Sequence, residues 1–440
     1  MQFKSPWLST TPPSYPCLKG DLCCETAIIG AGISGIMTLY FLLTQTQKKI
    51  ALFEKDTVVS GATGYNAGLA FAHMEHPVSE LLAKFSLEAI EEAFEEIDEG
   101  WEDLLAINEI IGLKDNLVMI PSATLGYDAL PILIHSIEEE LIQQRFGRGR
   151  FHYLVKDDPE IKSQIPQSAA HLVDYVSPEE ILKILKTTDK SYLAVAKNTT
   201  VLKGGRMNSA RFCIHVLKYL QQNYPERFVV YENTGIKHID MQQTGVVLHH
   251  AQGTIQTQDL ILCTNGYKNF TITDQTKILE GVSPKEAYMT AHPDPQETVY
   301  AAAFFTDAKK YPNVPYWYIS YGPAIGDANQ RHIILGGPEY DLNDQDQPEF
   351  IKQHAEESLN SISQFLNTTF GESPKFSFFW RGVMGYTDDG VRKVGPDKHH
   401  PHLWYNLGCN GIGIVPAISG ARRIARLMSG ETLPPSIFDC

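Results

Sequence analysis

Three glycines at the spacing Gly30-x-Gly32-x-x-Gly35, with Glu54 standing 19 residues beyond the last of them, are the residues with the clearest chemistry. The glycines permit a tight turn and the close approach of a pyrophosphate to a helix N-terminus, whose partial positive charge favours the anion. An acid at that distance accepts from ribose hydroxyls. Ala31, Ile33 and Ser34 complete the turn. The motif predicts a bound dinucleotide and does not separate FAD from NAD. Two further glycine-rich stretches also permit close backbone approach to a ligand: Gly61-Ala62-Thr63-Gly64-Tyr65-Asn66-Ala67-Gly68-Leu69 and Gly408-Cys409-Asn410-Gly411-Ile412-Gly413. No metal site is expected, because His249-His250 and His399-His400 fall in polar stretches that read as solvated loops without a third ligand.

These residues need a frame. Thr26-Ala27-Ile28-Ile29 reads as an apolar strand, the glycine turn opens a helix running to about Gln45, and Ile50-Ala51-Leu52-Phe53 is a second strand ending at Glu54, which together make a βαβ unit. Leu87, Ile90, Phe94, Ile97, Trp101 and Leu104 recur at three- and four-residue steps and predict a helix. The nine acidic residues from Glu88 to Asp103 read as its solvated face. A helix over 210–220 feeds a strand over 228–231, and strands follow at 246–248 and 259–266. A Tyr- and Pro-rich stretch from about 284 to 345 reads as a separate β-rich layer with strands over 316–321 and 332–335, and the last helix covers 417–428. The first 25 residues, with Pro6, Pro12, Pro13 and Pro16, read as an extended arm laid on the surface.

At 440 residues with 43% hydrophobic and 20% charged residues, the chain has the composition of an ordinary globular protein and room for about three domain-sized units. The formal charge of −15 disfavours a nucleic-acid partner held by phosphate contacts. Seven scattered cysteines without a CxxC pair suit a reducing compartment, and no stretch reads as a signal or membrane segment. The expected localisation is therefore cytoplasmic.

The order of the three glycine loops along nearly the whole chain resembles the D-amino-acid-oxidase-like flavoproteins, in particular the branch holding glycine, sarcosine and γ-glutamylputrescine oxidases. The leader Ser5-Pro6-Trp7 with Tyr15-Pro16-Cys17-Leu18-Lys19-Gly20 is similar to that of putrescine-type oxidases. The resemblance implies FAD as cofactor, held without a covalent bond: the segment after Trp380 lacks the cysteine by which sarcosine oxidases attach flavin, and Tyr65 stands where some relatives have a histidine linkage. It implies that Gly30, Gly32 and Gly35 with Ala31, Ile33 and Ser34 receive the pyrophosphate, and that Phe53, Glu54 and Lys55 adjoin the adenosine ribose. Gly61, Ala62, Thr63, Tyr65, Asn66, Ala67, Gly68 and Leu69 would follow the ribityl chain to the flavin edge, with Ile236 near adenine and Thr264, Asn265 and Gly266 beside the ribose. Gly382, Gly408, Asn410, Gly411, Ile412 and Gly413 would approach the isoalloxazine, where N–H groups stabilise charge on the reduced ring.

The implied reaction moves a hydride equivalent from the carbon of a small-molecule amine to flavin N5, releasing an imine that hydrolyses, with hydrogen peroxide if oxygen is the acceptor. Candidates to orient the amine are Tyr288, Tyr318 and Tyr386, with Tyr316 and Tyr321 nearby and Glu286 as ammonium partner. Met384 falls where glycine oxidase has a carboxylate-binding arginine, which speaks for an amine over an α-amino acid. Arg381 and Arg392 read as exposed structural arginines, and His73 and His76 as surface histidines. The expected fold is α/β, a Rossmann-like FAD-binding domain from 26–85, 195–282 and 375–440, with an inserted α+β substrate domain from 86–194 and 283–374 built on an antiparallel sheet. The alternatives are an N-substituted amino acid oxidase or dehydrogenase, a flavin domain acting on modified tRNA uridine, and a flavin-binding module without turnover.

Overall fold

Four-residue runs such as Ala27–Ile29 with its neighbour Thr26, Ile50–Phe53 and the buried end of Gly253–Leu262 have no polar face, which suits strands covered on both sides. The computed structural model describes residues 5–9, 13–74, 76–274, 276–293, 299–324, 327–342, 348–371, 373 and 375–440. In it, strands Phe228–Tyr231, Ile50–Phe53, Leu22–Ile29, Gly253–Leu262 and Leu403–Leu407 lie side by side and parallel, with Ile28 opposite both Leu52 and Ile261. Three strands joined by antiparallel pairing and a short one, Thr271–Ile272, joined in parallel extend this first sheet to nine. The helix Ile33–Gln45 follows the glycine turn and buries ten of its residues against the sheet and the last helix, Ile414–Met428.

A second nine-stranded, mostly antiparallel sheet runs in the order Phe378–Thr387, Val282–Pro293, Asp327–Asp341, Trp317–Ala324, Tyr300–Phe305, Ala123–Tyr127, Ala194–Asn198, Phe151–Lys156 and Val173–Val176. The helix Pro348–Phe370 covers part of one face, where Trp317 stacks on Phe365 at 4.3 Å between ring centroids. A small third sheet joins Leu69–Phe71, Gly204–Met207 and Leu117–Met119. No helix among the described residues is long and apolar enough to cross a membrane.

Several expectations change. Strand Phe378–Thr387 pairs with Val282–Pro293 in the second sheet, so the segment after 375 begins there and not in the cofactor unit. Helix Leu87–Ile110, expected in the substrate unit, packs on the last helix: a Cβ on Gly100 would strike the Ser419 hydroxyl. Its acidic run is not simply solvated, because Glu96 is 7% exposed and paired with Arg423, while Asp103 pairs with Arg422 and Asp98 with Arg148. Nor does the whole arm lie on the surface. Trp7 is 3% exposed and donates its indole N–H to Asn66 O at 2.6 Å, because a large apolar ring gains more from burial than a loop end gains from solvation; Pro12 lies outside the described residues. His249 and His250 end a strand, Gly245–His250, where His249 Nε2 meets Asp240 Oδ2 at 2.8 Å.

Candidate active site

A cavity of about 590 Å³ opens between the C-terminal ends of the parallel strands and one face of the second sheet. Its floor begins at the glycine turn. Gly30 has φ +103°, and a Cβ there would lie 2.6 Å from Cys263 O, so the turn passes only as glycine. A Cβ on Gly35 would collide with Gly30 O, which is how the helix sits so near the strand. Glu54 braces the turn, accepting from Ala31 N at 2.9 Å and from Asp56 N at 3.0 Å. Burial pushes its carboxyl above the usual range against the pull of those N–H groups. At the N-terminus of the helix, Ile33 N donates to Thr63 Oγ1 at 2.8 Å.

Asn66 clasps the second glycine loop. Its Nδ2 donates to Ala62 O and Thr63 O, both at 3.0 Å, and to Ser209 Oγ at 2.7 Å, while its Oδ1 accepts from Gly68 N at 2.7 Å. Both Trp7 and Trp380 donate to Asn66 O, which ties this loop to the arm and to the second sheet. A Cβ on Gly382 would collide with Tyr65 O. The third loop is fixed by side-chain amides: Cys409 N donates to Asn265 Oδ1 at 3.0 Å and Thr387 N to Asn410 Oδ1 at 2.8 Å, with Asn265 and Asn410 themselves at φ +53° and +45°.

The three loops, together with Glu54, Lys55, Ile236, Thr264, Asn265 and Gly382, line one continuous wall. Ala31, Gly35 and Phe53 are buried behind it, and Gly68, Gly266, Gly408 and Asn410 shape its loops without facing the cavity. Among the expected amine-orienting residues, Tyr318 lines the cavity, and Tyr386 donates to Glu339 Oε2 at 3.1 Å. Glu286 and Tyr288 do not reach it. Side chains alternate along a strand, and since Ala287 and Met289 face the cavity, Glu286 and Tyr288 face away. There Glu286, 0% exposed, accepts from His354 Nδ1 at 2.6 Å and Tyr288 OH at 3.0 Å, and pairs with Arg381. Tyr321 is likewise buried in the core on the far face.

Sequence reasoning missed Glu339, a carboxylate on the cavity side of strand Asp327–Asp341, since nothing in Gly336-Gly337-Pro338-Glu339 signals a site. It also misread Arg392, which is 5% exposed. The side chain donates to Asn406 Oδ1 at 2.7 Å, Asn406 O at 3.1 Å and Ser34 Oγ at 2.5 Å, all neutral acceptors, and it lines the cavity. Burial lowers its guanidinium to about 10. His73 is also a cavity residue, held down to about 3 by burial and by Arg150 and Arg148. No group of three or more His, Cys, Asp or Glu that could hold a metal is found among the described residues.

A turn only glycine can make, a helix N-terminus at the cavity floor and a buried cation that meets only neutral acceptors among the described residues fit a dinucleotide's pyrophosphate. Comparison with known proteins agrees. The chain resembles glycine oxidase from Bacillus cereus ATCC 14579 with a TM-score of 0.63 and 16% identity, over 93% of this chain and 96% of that one. It resembles L-proline dehydrogenase from P. horikoshii with a TM-score of 0.62 and 17% identity, over 96% and 97%. At these identities the likeness is one of fold. A Bacillus subtilis (strain 168) protein named "Putative Rieske 2Fe-2S iron-sulfur protein YhfW" is 35% identical over 79 residues, which are 18% of this chain and only 15% of that relative's length. Residues 25–427 match the sequence family described as DAO, FAD dependent oxidoreductase, and the chain therefore belongs to that family of FAD-dependent oxidoreductases.

Proposed function

We propose that the protein oxidises the C–N bond of a primary or secondary amine, with a γ-glutamylputrescine-type amine as substrate and oxygen or another acceptor taking the electrons. The observation that carries this reading is the composition of the cavity opposite the glycine loops: Glu339 with the tyrosines Tyr316, Tyr318 and the adjoining Tyr386 offers a carboxylate to an ammonium group, while Met384 offers nothing to an α-carboxylate. FAD, when bound, supplies the hydride acceptor. Every other task falls to the chain. Gly30 to Gly35 and the Arg392 guanidinium hold the pyrophosphate, Glu54 the ribose, the loop from Gly61 to Leu69 the ribityl chain, and Gly411 to Gly413 the flavin ring, without a covalent bond. Glu339 would receive the ammonium and take its proton, and Tyr318 and Tyr386 would fix the direction of the neutral amine, so that the reacting carbon would be held against the ring.

The visible spectrum of the purified protein, before and after anaerobic addition of polyamines, γ-glutamyl polyamines, N-methyl amino acids and glycine, tests the reading. Bleaching by the γ-glutamyl or free polyamines supports it. Bleaching by N-methyl amino acids or glycine alone selects the sarcosine/glycine alternative, which the fold likeness to glycine oxidase favours. Bound flavin that no amine bleaches selects a non-catalytic module.

Two substitutions test individual roles. Met384→Arg places a guanidinium in the cavity and should raise preference for an α-amino acid over its decarboxylated amine at least about tenfold, the effect of roughly 1.5–3 kcal/mol from one charged hydrogen bond. An unchanged ratio of kcat/KM values removes that position from the substrate site. Arg392→Met should weaken FAD binding at least about tenfold, for the same reason, and flatten its dependence on salt. Fluorescence titration of the apoprotein at two ionic strengths reads both effects.

A further inference from the structure

The cavity does not end at the tyrosines. Its far end is lined by Leu69, Phe71 and His73, which continue from the second glycine loop, and by Arg148, Arg150 and Glu140. Arg150 Nη2 donates to Ala72 O at 3.4 Å, the limit of a hydrogen bond, and among the described residues no carboxylate lies within ion-pair distance of this guanidinium. Its neighbours are committed elsewhere. Arg148 is paired with Asp98 at 2.8 Å and donates to Phe94 O at 3.0 Å. Glu140 accepts from the backbone N–H of Arg150 at 2.5 Å and of Phe151 at 3.0 Å. Glu139, also at this end, accepts from Val78 N at 2.6 Å and Ser79 N at 3.1 Å. His73 is neutral. Burial and the like charge of Arg148 lower the Arg150 guanidinium from its ordinary value, and the opposing pull of Asp98 and Glu140 does not make up the difference.

We infer that this end of the cavity binds a carboxylate carried by the substrate at a distance from the oxidised C–N bond, with Arg150 as the specificity-determining residue. From Leu69, assigned above to the flavin edge, four residues of extended chain to His73 span at most roughly 13 Å, so reacting amine and anion are separated by on the order of 10 Å. The substrate class is then an amine with a distal anionic group. A plain polyamine brings the guanidinium no carboxylate at ion-pair distance, and an α-amino acid is too short to reach it. The inference rests on the amine reading above, and two readouts keep them apart.

The first readout compares a γ-glutamyl diamine with its α-carboxamide analogue as reductants of the holoenzyme. The carboxylate should be favoured at least about tenfold in kcat/KM, chiefly through KM. In Arg150→Gln, purified with its flavin, the ratio should fall to within about twofold of one, and Arg150→Lys should keep part of it. A ratio that survives in Arg150→Gln overturns the inference. The second readout needs no turnover: octanoate, a non-reacting monocarboxylate that brings no second charge to Glu339, should perturb the flavin spectrum of the wild-type holoenzyme and not that of Arg150→Gln. Equal perturbation in both, or none in the wild type, overturns the inference. If no amine bleaches the flavin while octanoate gives the expected difference, the amine reading fails and the anion site stands.

Discussion

Gly32→Asp should purify as a folded, colourless protein. Gly32 is the N-cap of helix Ile33–Gln45, and no side chain of its own caps the helix. A Cβ at this position would lie 3.0 Å from Thr63 Oγ1, a contact that a shift of a few tenths of an ångström in one hydroxyl relieves. Aspartate is moreover among the best N-cap residues, so the helix itself gains a partner for its free N–H groups. What the substitution removes is the room and the charge balance for an anion. A carboxylate would occupy the place where the helix N-terminus receives the pyrophosphate, and juxtaposed like charges cost several kcal/mol. At about 1.4 kcal/mol per factor of ten, FAD affinity should fall by roughly a thousandfold. The measurement is the ratio of flavin to protein absorbance after purification, followed by FAD titration, with circular dichroism to show that helix content is kept. Gly32→Ala, which adds the Cβ without the charge, should stay yellow. An aspartate variant that retains stoichiometric flavin would show that the pyrophosphate lies elsewhere.

The second large effect concerns stability. Replacing Arg423 by Ala should lower folding stability by about 3–5 kcal/mol, because it leaves a buried carboxylate without its counter-charge. Arg423 lies on the last helix and is 4% exposed. Its guanidinium meets Glu96 Oε1 at 2.5 Å, both oxygens of Asp439 at 2.8 and 2.9 Å, and Pro434 O at 2.8 Å. Glu96 is held from the other side by the Ser436 hydroxyl at 2.7 Å. Burial pushes the Glu96 carboxyl up, and the pull of Arg423 only partly offsets it, so without the arginine the site must protonate or admit water. The network fastens helix Leu87–Ile110, the last helix and the C-terminal segment together. The urea midpoint of unfolding reads the loss. The double variant Arg423→Met, Glu96→Leu should recover most of it, since well-packed apolar groups of similar volume replace buried ion pairs at little net cost. Equal stability of Arg423→Ala and wild type would mean that Glu96 is not buried as a charge.

The glycine turn and the strand-end acid were legible because they are set by the backbone and by short spacings. A glycine turn between a strand and a helix, and an acid at the next strand end, occupy their places by local geometry alone, and Gly30 and Glu54 are found with those geometries. The substrate side was not legible in this way. Within Lys285-Glu286-Ala287-Tyr288-Met289, chemical type favours Glu286 and Tyr288 as site residues, but strand parity turns them under helix Pro348–Phe370 and gives the cavity Ala287 and Met289. Parity is set by which face of the second sheet meets the first, and no residue within the strand carries that information.

Long-range packing decided the rest. Trp7 is nearly sixty residues from the loop it braces, and Arg392 is 358 residues from the Ser34 hydroxyl to which it donates. Arg150 and His73 are separated in sequence by three α-helices and two strands, yet both line the cavity. The sequence by itself determined where a dinucleotide could be held, since close backbone approach and a helix N-terminus depend on neighbours within a few residues. Which charges are buried, and which of them face the cavity without a partner, only the tertiary structure decided, because desolvation depends on what the distant parts of the chain bring to cover each group.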